Sequence, residues 1–166
     1  MWLRFIDKYC PKVYYIMKLD DDVVGNISQM LHFMNERVKT VSLLESQKQC
    51  RVIHHRRLSR EKTNKYVTKD ELSSEYYSDH CVGMTIIFTG DLPGVLLRRP
   101  QKKDITGFGI DDYFITGILV KKAEAHSVDL KRKIGVYMWE GSEEALVNGD
   151  IFFRTLSNIS HSLQLW

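Results

Sequence analysis

Three consecutive aspartates, Asp20, Asp21 and Asp22, close the apolar run Tyr14 to Leu19 and open onto Val23, Val24 and Gly25. The run is strand-forming, and a strand that delivers carboxylates at its carboxyl end puts them where open α/β sheets keep their ligands. Side chains alternate along an extended chain, so Asp20 and Asp22 share a face while Asp21 points the other way, toward backbone or a supporting partner. Hard oxygen donors in that arrangement suit Mn²⁺ or Mg²⁺, which take one or two carboxylates and complete their shell with water and substrate phosphates. The plainer alternative is a solvated acidic turn. The apolar strand weighs against it, because carboxylates beside a buried strand are costly unless a cation compensates them.

The near-continuous apolar character of Lys12 to Leu19 predicts a strand buried on both faces, inside a parallel sheet. Upstream, Met1 to Pro11 reads as the end of a helix and a connector. Downstream of Gly25, Ile27, Met30, Leu31, Met34 and Val38 recur at helical spacing, and Met30 and Met34 read as core filling. Cys50 to Ile53 is a short strand, Tyr66 to Tyr77 a strand, a turn and a second aromatic anchor, and Met84 to Thr89 a glycine-bounded strand. Asp91 can cap a short helix through Leu97. The chain of 166 residues, 43% hydrophobic and 27% charged, suits one domain with its own core.

A net charge of +3 is too small to imply nucleic acid. The one dense basic tract, His54 to Lys65, lacks the interleaved aromatics that stack bases, so it reads as a solvated loop, with some of its cations available to an anionic substrate. No apolar stretch approaches the roughly 20 residues that cross a bilayer, and no secretory signal opens the chain. Cys10, Cys50 and Cys81 fit no zinc spacing and allow one disulfide plus a leftover, or three thiols. The sequons at Asn26 and Asn158 lean toward a secretory compartment.

A second acidic site follows the glycine-rich stretch Gly107 to Gly109, where Asp111 and Asp112 open a helix. Negative charge there is favoured by the backbone dipole, which is the capping explanation. Adjacent helical residues diverge by about 100°, so one aspartate can cap while the other projects into a cleft as a general base.

Taken together, Trp2, Cys10, the segment Tyr14 to Gly25, Lys65 to Glu71, Tyr77 to Gly83 and Asp111 to Gly117 resemble the β-1,3-galactosyltransferases, glycosyltransferase family 31, over roughly residues 2 to 130. The resemblance implies a GT-A-like (Rossmann-like) α/β fold, with a mixed sheet flanked by helices and a single partial catalytic domain over residues 1–166. It implies a UDP-sugar donor, Mn²⁺ (or Mg²⁺), a hexose (galactose or N-acetylglucosamine) passed with inversion to a glycan hydroxyl in β-1,3 linkage, and residence on the lumenal side of the Golgi membrane. Carried over by position, Asp22 is the direct metal ligand with Asp20, and Asp20 and Asp21 lie on the nucleotide side. Asp112 is the catalytic carboxylate, with Asp111 standing where glutamate is usual. Tyr77, His80, Gly83 and Gly109 border the acceptor. Besides Asp111, three positions depart from the family pattern: Ser78 replaces proline and His80 a tyrosine, so acceptor preference does not carry over, and Tyr113 replaces a valine.

Family members carry a cytoplasmic tail, a membrane anchor, a stem and the first nucleotide-binding strands before the segment that matches here. The expectation is therefore a chain lacking most of the uridine pocket and inactive in transfer at this length, with Cys10 as the unpaired thiol and Cys50 and Cys81 as the possible bridge. Two other readings stand beside it: a non-catalytic remnant or interaction domain, and a metal-dependent phosphoryl-transfer enzyme. The last needs Asp20, Asp22 and Asp112 converging on two metals about 4 Å apart.

Overall fold

The computed structural model describes residues 2–40, 47–54, 56–59, 66–98, 110–130, 132–135 and 142–155, with side chains described as far as Glu36 in the second helix. The chain opens with helix α1 (Trp2–Tyr9) and runs into strand β1 (Tyr15–Leu19). Strand β2 (Val23–Gly25) and helix α2 (Ile27–Thr40) follow the aspartate turn, then come β3 (Gln47–Ile53), β4 (His80–Thr89) and α3 (Leu92–Arg98). A continuous helix is α-helical at Asp111–Tyr113 (α4) and Val120–Lys122 (α5) and wound as a π-helix between them, at Phe114–Leu119. Strands β5 (His126–Asp129) and β6 (Ile134–Gly135), helix α6 (Glu143–Val147) and β7 (Phe153–Thr155) complete the described residues.

The larger sheet has the order β1-β4-β3-β5, with β4 antiparallel to both neighbours and β3 parallel to β5. A smaller sheet has the order β2-β7-β6, mixed in the same way. This is the mixed α/β architecture expected, with one correction. Strand β1 stands at an end of its sheet among the described residues, antiparallel to β4, and is only partly buried. An apolar run reports burial by helices and loops as readily as by flanking strands, so it carries no information on strand direction.

Each face of the larger sheet has its own core. On one, Ile16, Cys50, Ile86 and Phe88 pack with Leu3 of α1, Leu92 and Leu96 of α3, and Ile115, Leu119 and Val120 of the long helix. On the other, Met84 and Ile87 pack with Met30 and Met34 of α2 and with Ile134, Phe152 and Phe153. The strand alternation of β1 follows: Ile16 belongs to the first core, whereas Tyr15 and Met17 pack against the second. Lys18 therefore lies on the face that carries the long helix.

Helix α2 begins where expected, and Met30 and Met34 are buried, but Ile27 and Leu31 are largely exposed. The Tyr66 to Tyr77 segment forms no strand; Tyr76 and Tyr66 make isolated bridges with Arg57 and Ser59. Between them Thr68 and Glu71 cap one another reciprocally, each side chain accepting the other's backbone N–H. Cys50 and Cys81 form a disulfide with Cα atoms 5.7 Å apart, and Cys10 is free. Asn26 is not an available glycan acceptor. It is buried, its Nδ2 donates to the carbonyls of Leu146 and Val147, and its Oδ1 caps α2 by accepting from Gln29 N. Asn158 lies outside the described residues.

Candidate active site

The site forms where β1 ends beside a break in the β4 ladder. Pairing between β3 and β4 jumps from Cys50 opposite Ile86 to Val52 opposite Cys81, so β4 spends more residues than β3 over that interval and bulges away. The bulged stretch stays with β1 instead: Thr85 pairs with Leu19, and Asp20 N donates to Met84 O at 3.0 Å. Bulges re-aim backbone in this way beside functional sites. Here the result is that Gly83 faces both the end of β1 and the start of α4.

Lys18 occupies the centre. Its Nζ donates to Asp20 Oδ1 at 2.6 Å and to Gly83 O at 2.7 Å, and stands 3.5 Å from Asp112 Oδ1. Burial works against the charge on Lys18, but the hydrogen bond to Asp20 and the charges of Asp112, Asp20 and Asp111 outweigh it, and its pKa is raised. For Asp112 the balance falls the other way. Burial raises its pKa above the usual carboxylate value, and the attraction of Lys18 recovers only part of that. Asp111 is exposed and turns back on the helix end, where its Oδ1 accepts from Asp112 N at 2.9 Å. Gly83 leaves room for this carboxylate: a Cβ there would lie 1.8 Å from Asp112 Oδ2, so any other residue would displace Asp112 from its position.

Thus Asp20 and Asp112 are brought together across one ammonium group, while Asp21 and Asp22 sit in the turn, exposed. Among the described residues no three His, Cys, Asp or Glu side chains gather into a metal cluster. The convergence of Asp20, Asp22 and Asp112 that a two-metal phosphoryl-transfer site needs is absent there. A single Mn²⁺ or Mg²⁺ asks less of the protein, since one or two carboxylates suffice when water and diphosphate supply the rest. The exposed carboxylate of Asp22, with Asp20 beside it, fits that demand.

Tyr77 and His80 do not form an open surface. Both are buried and make a three-ring cluster with Tyr113, the centroids 4.6 Å apart for Tyr77 and Tyr113 and 5.2 Å for His80 and Tyr113. His80 Nδ1 is 2.9 Å from Ser78 O, and burial lowers its pKa. The Tyr113 hydroxyl accepts from Ser78 Oγ at 3.3 Å and from Ser78 N at 3.5 Å. Ser78, His80 and Tyr113, three of the departures from the family pattern, are therefore in mutual contact, and a proline at 78 has no N–H to offer Tyr113. An open cavity of about 450 Å³ lies outside this cluster, lined by Tyr76, Ser78, Tyr113, Lys121 and Lys122 among others. Gly109 lies outside the described residues. Lys18 and Thr116 are site residues that pattern reading passed over. Lys18 was accessible to it, as the cation that carboxylates beside a buried strand demand.

A family model described as galactosyltransferase matches residues 1–131. The chain belongs to the galactosyltransferase family. Among curated relatives, it is 31% identical over 115 residues to UDP-GlcNAc:betaGal beta-1,3-N-acetylglucosaminyltransferase 7 of Rattus norvegicus, a match covering 69% of this chain and 28% of that protein. It is 27% identical over 124 residues to N-acetyllactosaminide beta-1,3-N-acetylglucosaminyltransferase 2 of Homo sapiens, covering 74% and 30% respectively. The matched segments thus span less than a third of the length of these relatives. Lys18, Asp20, Gly83 and Asp112 all fall within the residues that the family model covers.

Proposed function

We propose that this chain carries the metal and acceptor half of an inverting glycosyltransferase that uses a UDP-sugar and passes a hexose to a saccharide hydroxyl in β-1,3 linkage. The observation that supports it most is the pairing of Asp112 with Asp20 through Lys18, which sets a raised-pKa carboxylate beside a carboxylate turn at a strand's end. In this reading Asp112 accepts the proton of the acceptor hydroxyl as that oxygen attacks the anomeric carbon from the face opposite the leaving group. A single displacement inverts the centre. Burial serves the base, because a carboxylate stripped of water binds a proton more readily than a solvated one. Asp22, with Asp20, would hold a Mn²⁺ or Mg²⁺ ion, which when bound supplies Lewis-acid neutralisation of the departing diphosphate. Lys18 keeps Asp20 and Asp112 from repelling one another, and Asp111 secures the helix end. The N-acetylglucosaminyltransferase names of the relatives favour N-acetylglucosamine as the donor sugar and a galactose-terminated glycan as acceptor. A lumenal Golgi location accords with such a reaction.

The test uses a form of the protein that also carries the nucleotide-binding strands family members have upstream, supplied with Mn²⁺ and either UDP-N-acetylglucosamine or UDP-galactose over a panel of galactose-terminated acceptors. Transfer that disappears in Asp112→Asn, together with loss of Mn²⁺-dependent UDP binding in Asp22→Ala, is the expected result. Transfer undiminished in Asp112→Asn, or unchanged metal-dependent UDP affinity in Asp22→Ala, overturns the assignment.

A further inference from the structure

Lys48 is the most deeply buried charge among the described residues, 1% exposed in the interior of β3. Its ammonium group reaches the long helix and donates to Thr116 O at 2.5 Å. Thr116, itself fully buried, lies in the π-wound segment four residues beyond Asp112. Its hydroxyl donates to Asp112 O at 2.6 Å and accepts from Cys81 N at 2.9 Å. One residue is therefore fastened by three elements: β3 through Lys48, β4 through Cys81 and the first turn of the helix through Asp112. The two strands are cross-linked at the same level by the Cys50–Cys81 disulfide, two residues along from Lys48.

A core position needs no charge, and a buried ammonium costs several kcal/mol that an apolar side chain avoids. What Lys48 gives in return is a charge-assisted bond to one chosen carbonyl, roughly twice as strong as a neutral one. π-helical turns are uncommon and concentrate at functional sites, because widening the ladder changes where the flanking side chains point. We propose that Lys48 and Thr116 are positioning residues that hold the π turn and thereby set the direction in which Asp112 meets the acceptor. The charged and titratable neighbours of Lys48 are Asp79, whose charge favours its protonated form, and His80, whose own protonation Lys48 disfavours. The proposal rests on the reading of Asp112 as the base.

The experiment compares Lys48→Met, Thr116→Val and Thr116→Ser with the parent and with Asp112→Asn, each checked for folding by circular dichroism. For Lys48→Met and Thr116→Val the expectation is a fall in kcat of about 10- to 100-fold at unchanged KM for the donor, the cost of a misplaced reacting group. Thr116→Ser, which keeps the hydroxyl, stays close to the parent. Amide hydrogen exchange over residues 112–116 is read in parallel and needs no turnover. It speeds up in Lys48→Met and Thr116→Val and not in Thr116→Ser, while exchange in the centre of β4 is unchanged. Parental kcat in both Lys48→Met and Thr116→Val with Asp112→Asn inactive overturns the positioning role alone. Activity retained in Asp112→Asn overturns the base assignment, and the exchange pattern then decides whether the clamp exists. Unaltered exchange at 112–116 in both variants removes it. If Lys48→Met fails to fold, the contrast between Thr116→Val and Thr116→Ser carries the same decision.

Discussion

The Asp112 carboxylate lies against Gly83 in the space that a Cβ at position 83 would take. The two residues belong to a β-bulge and a helix start 29 positions apart, and Gly83 O shares Lys18 with Asp112. Gly83→Ala is therefore expected to push the Asp112 carboxylate off its position. Transfer should fall by about 100-fold, with an overpacking loss of about 1–3 kcal/mol in chemical unfolding. Kinetics and urea titration of the same variant measure the two effects separately.

Ser78, His80 and Tyr113 should behave as one unit. Tyr113→Val alone leaves a gap against His80 and Tyr77 and removes the acceptor of two Ser78 bonds, so a loss of about 2–4 kcal/mol is expected. His80→Tyr alone overfills the cluster. The double variant should be more stable than the sum of the single changes predicts, by about 1 kcal/mol or more. A double-mutant cycle by thermal unfolding measures this coupling, and strict additivity would contradict it.

Lys48 gives a pH dependence with a definite sign. Burial lowers its pKa to about 8 in the folded chain from an ordinary value of 10.5. Below pH 8 both states are protonated and the folded state bears the whole penalty of the buried charge. Between pH 8 and 10.5 the unfolded chain binds more protons, so this position adds stability as pH rises, up to about 3 kcal/mol. Urea unfolding from pH 7 to 10 should show that rise in the parent relative to Lys48→Met, and parallel profiles would contradict it.

Asn26→Ala removes the α2 cap and two bonds to the carbonyls that end α6. A loss of about 2–3 kcal/mol is expected, cap and buried carbonyls together. Intact-mass measurement of protein made in a glycosylating host should find no glycan at Asn26.

Removing the cross-link between β3 and β4 with the paired change Cys50→Ala and Cys81→Ala should cost about 3–4 kcal/mol, for a separation of 31 residues. Thermal unfolding with and without reductant checks this, since the paired variant should no longer respond to reductant.

The sequence by itself determined the local elements whose signals are short in range. The strand ending at Leu19 before Asp20, the helical stripe with Met30 and Met34, and the helix opening on Asp111 and Asp112 were all legible, because alternation, 3.6-residue spacing and charge at a helix start are properties of a few neighbouring residues. The tertiary structure alone decided the rest. Whether β1 lies inside a parallel sheet or beside β4 at its end depends on a partner about seventy positions away. The lysine in the polar stretch Gln47 to Gln49 is buried only because β4, β5 and the long helix close over it. Lys18 meets Asp112 only because β4 leaves its β3 register between Ile86 and Cys81. Such contacts join segments tens of residues apart, and their geometry is set by register, bulge and packing, which no single segment encodes.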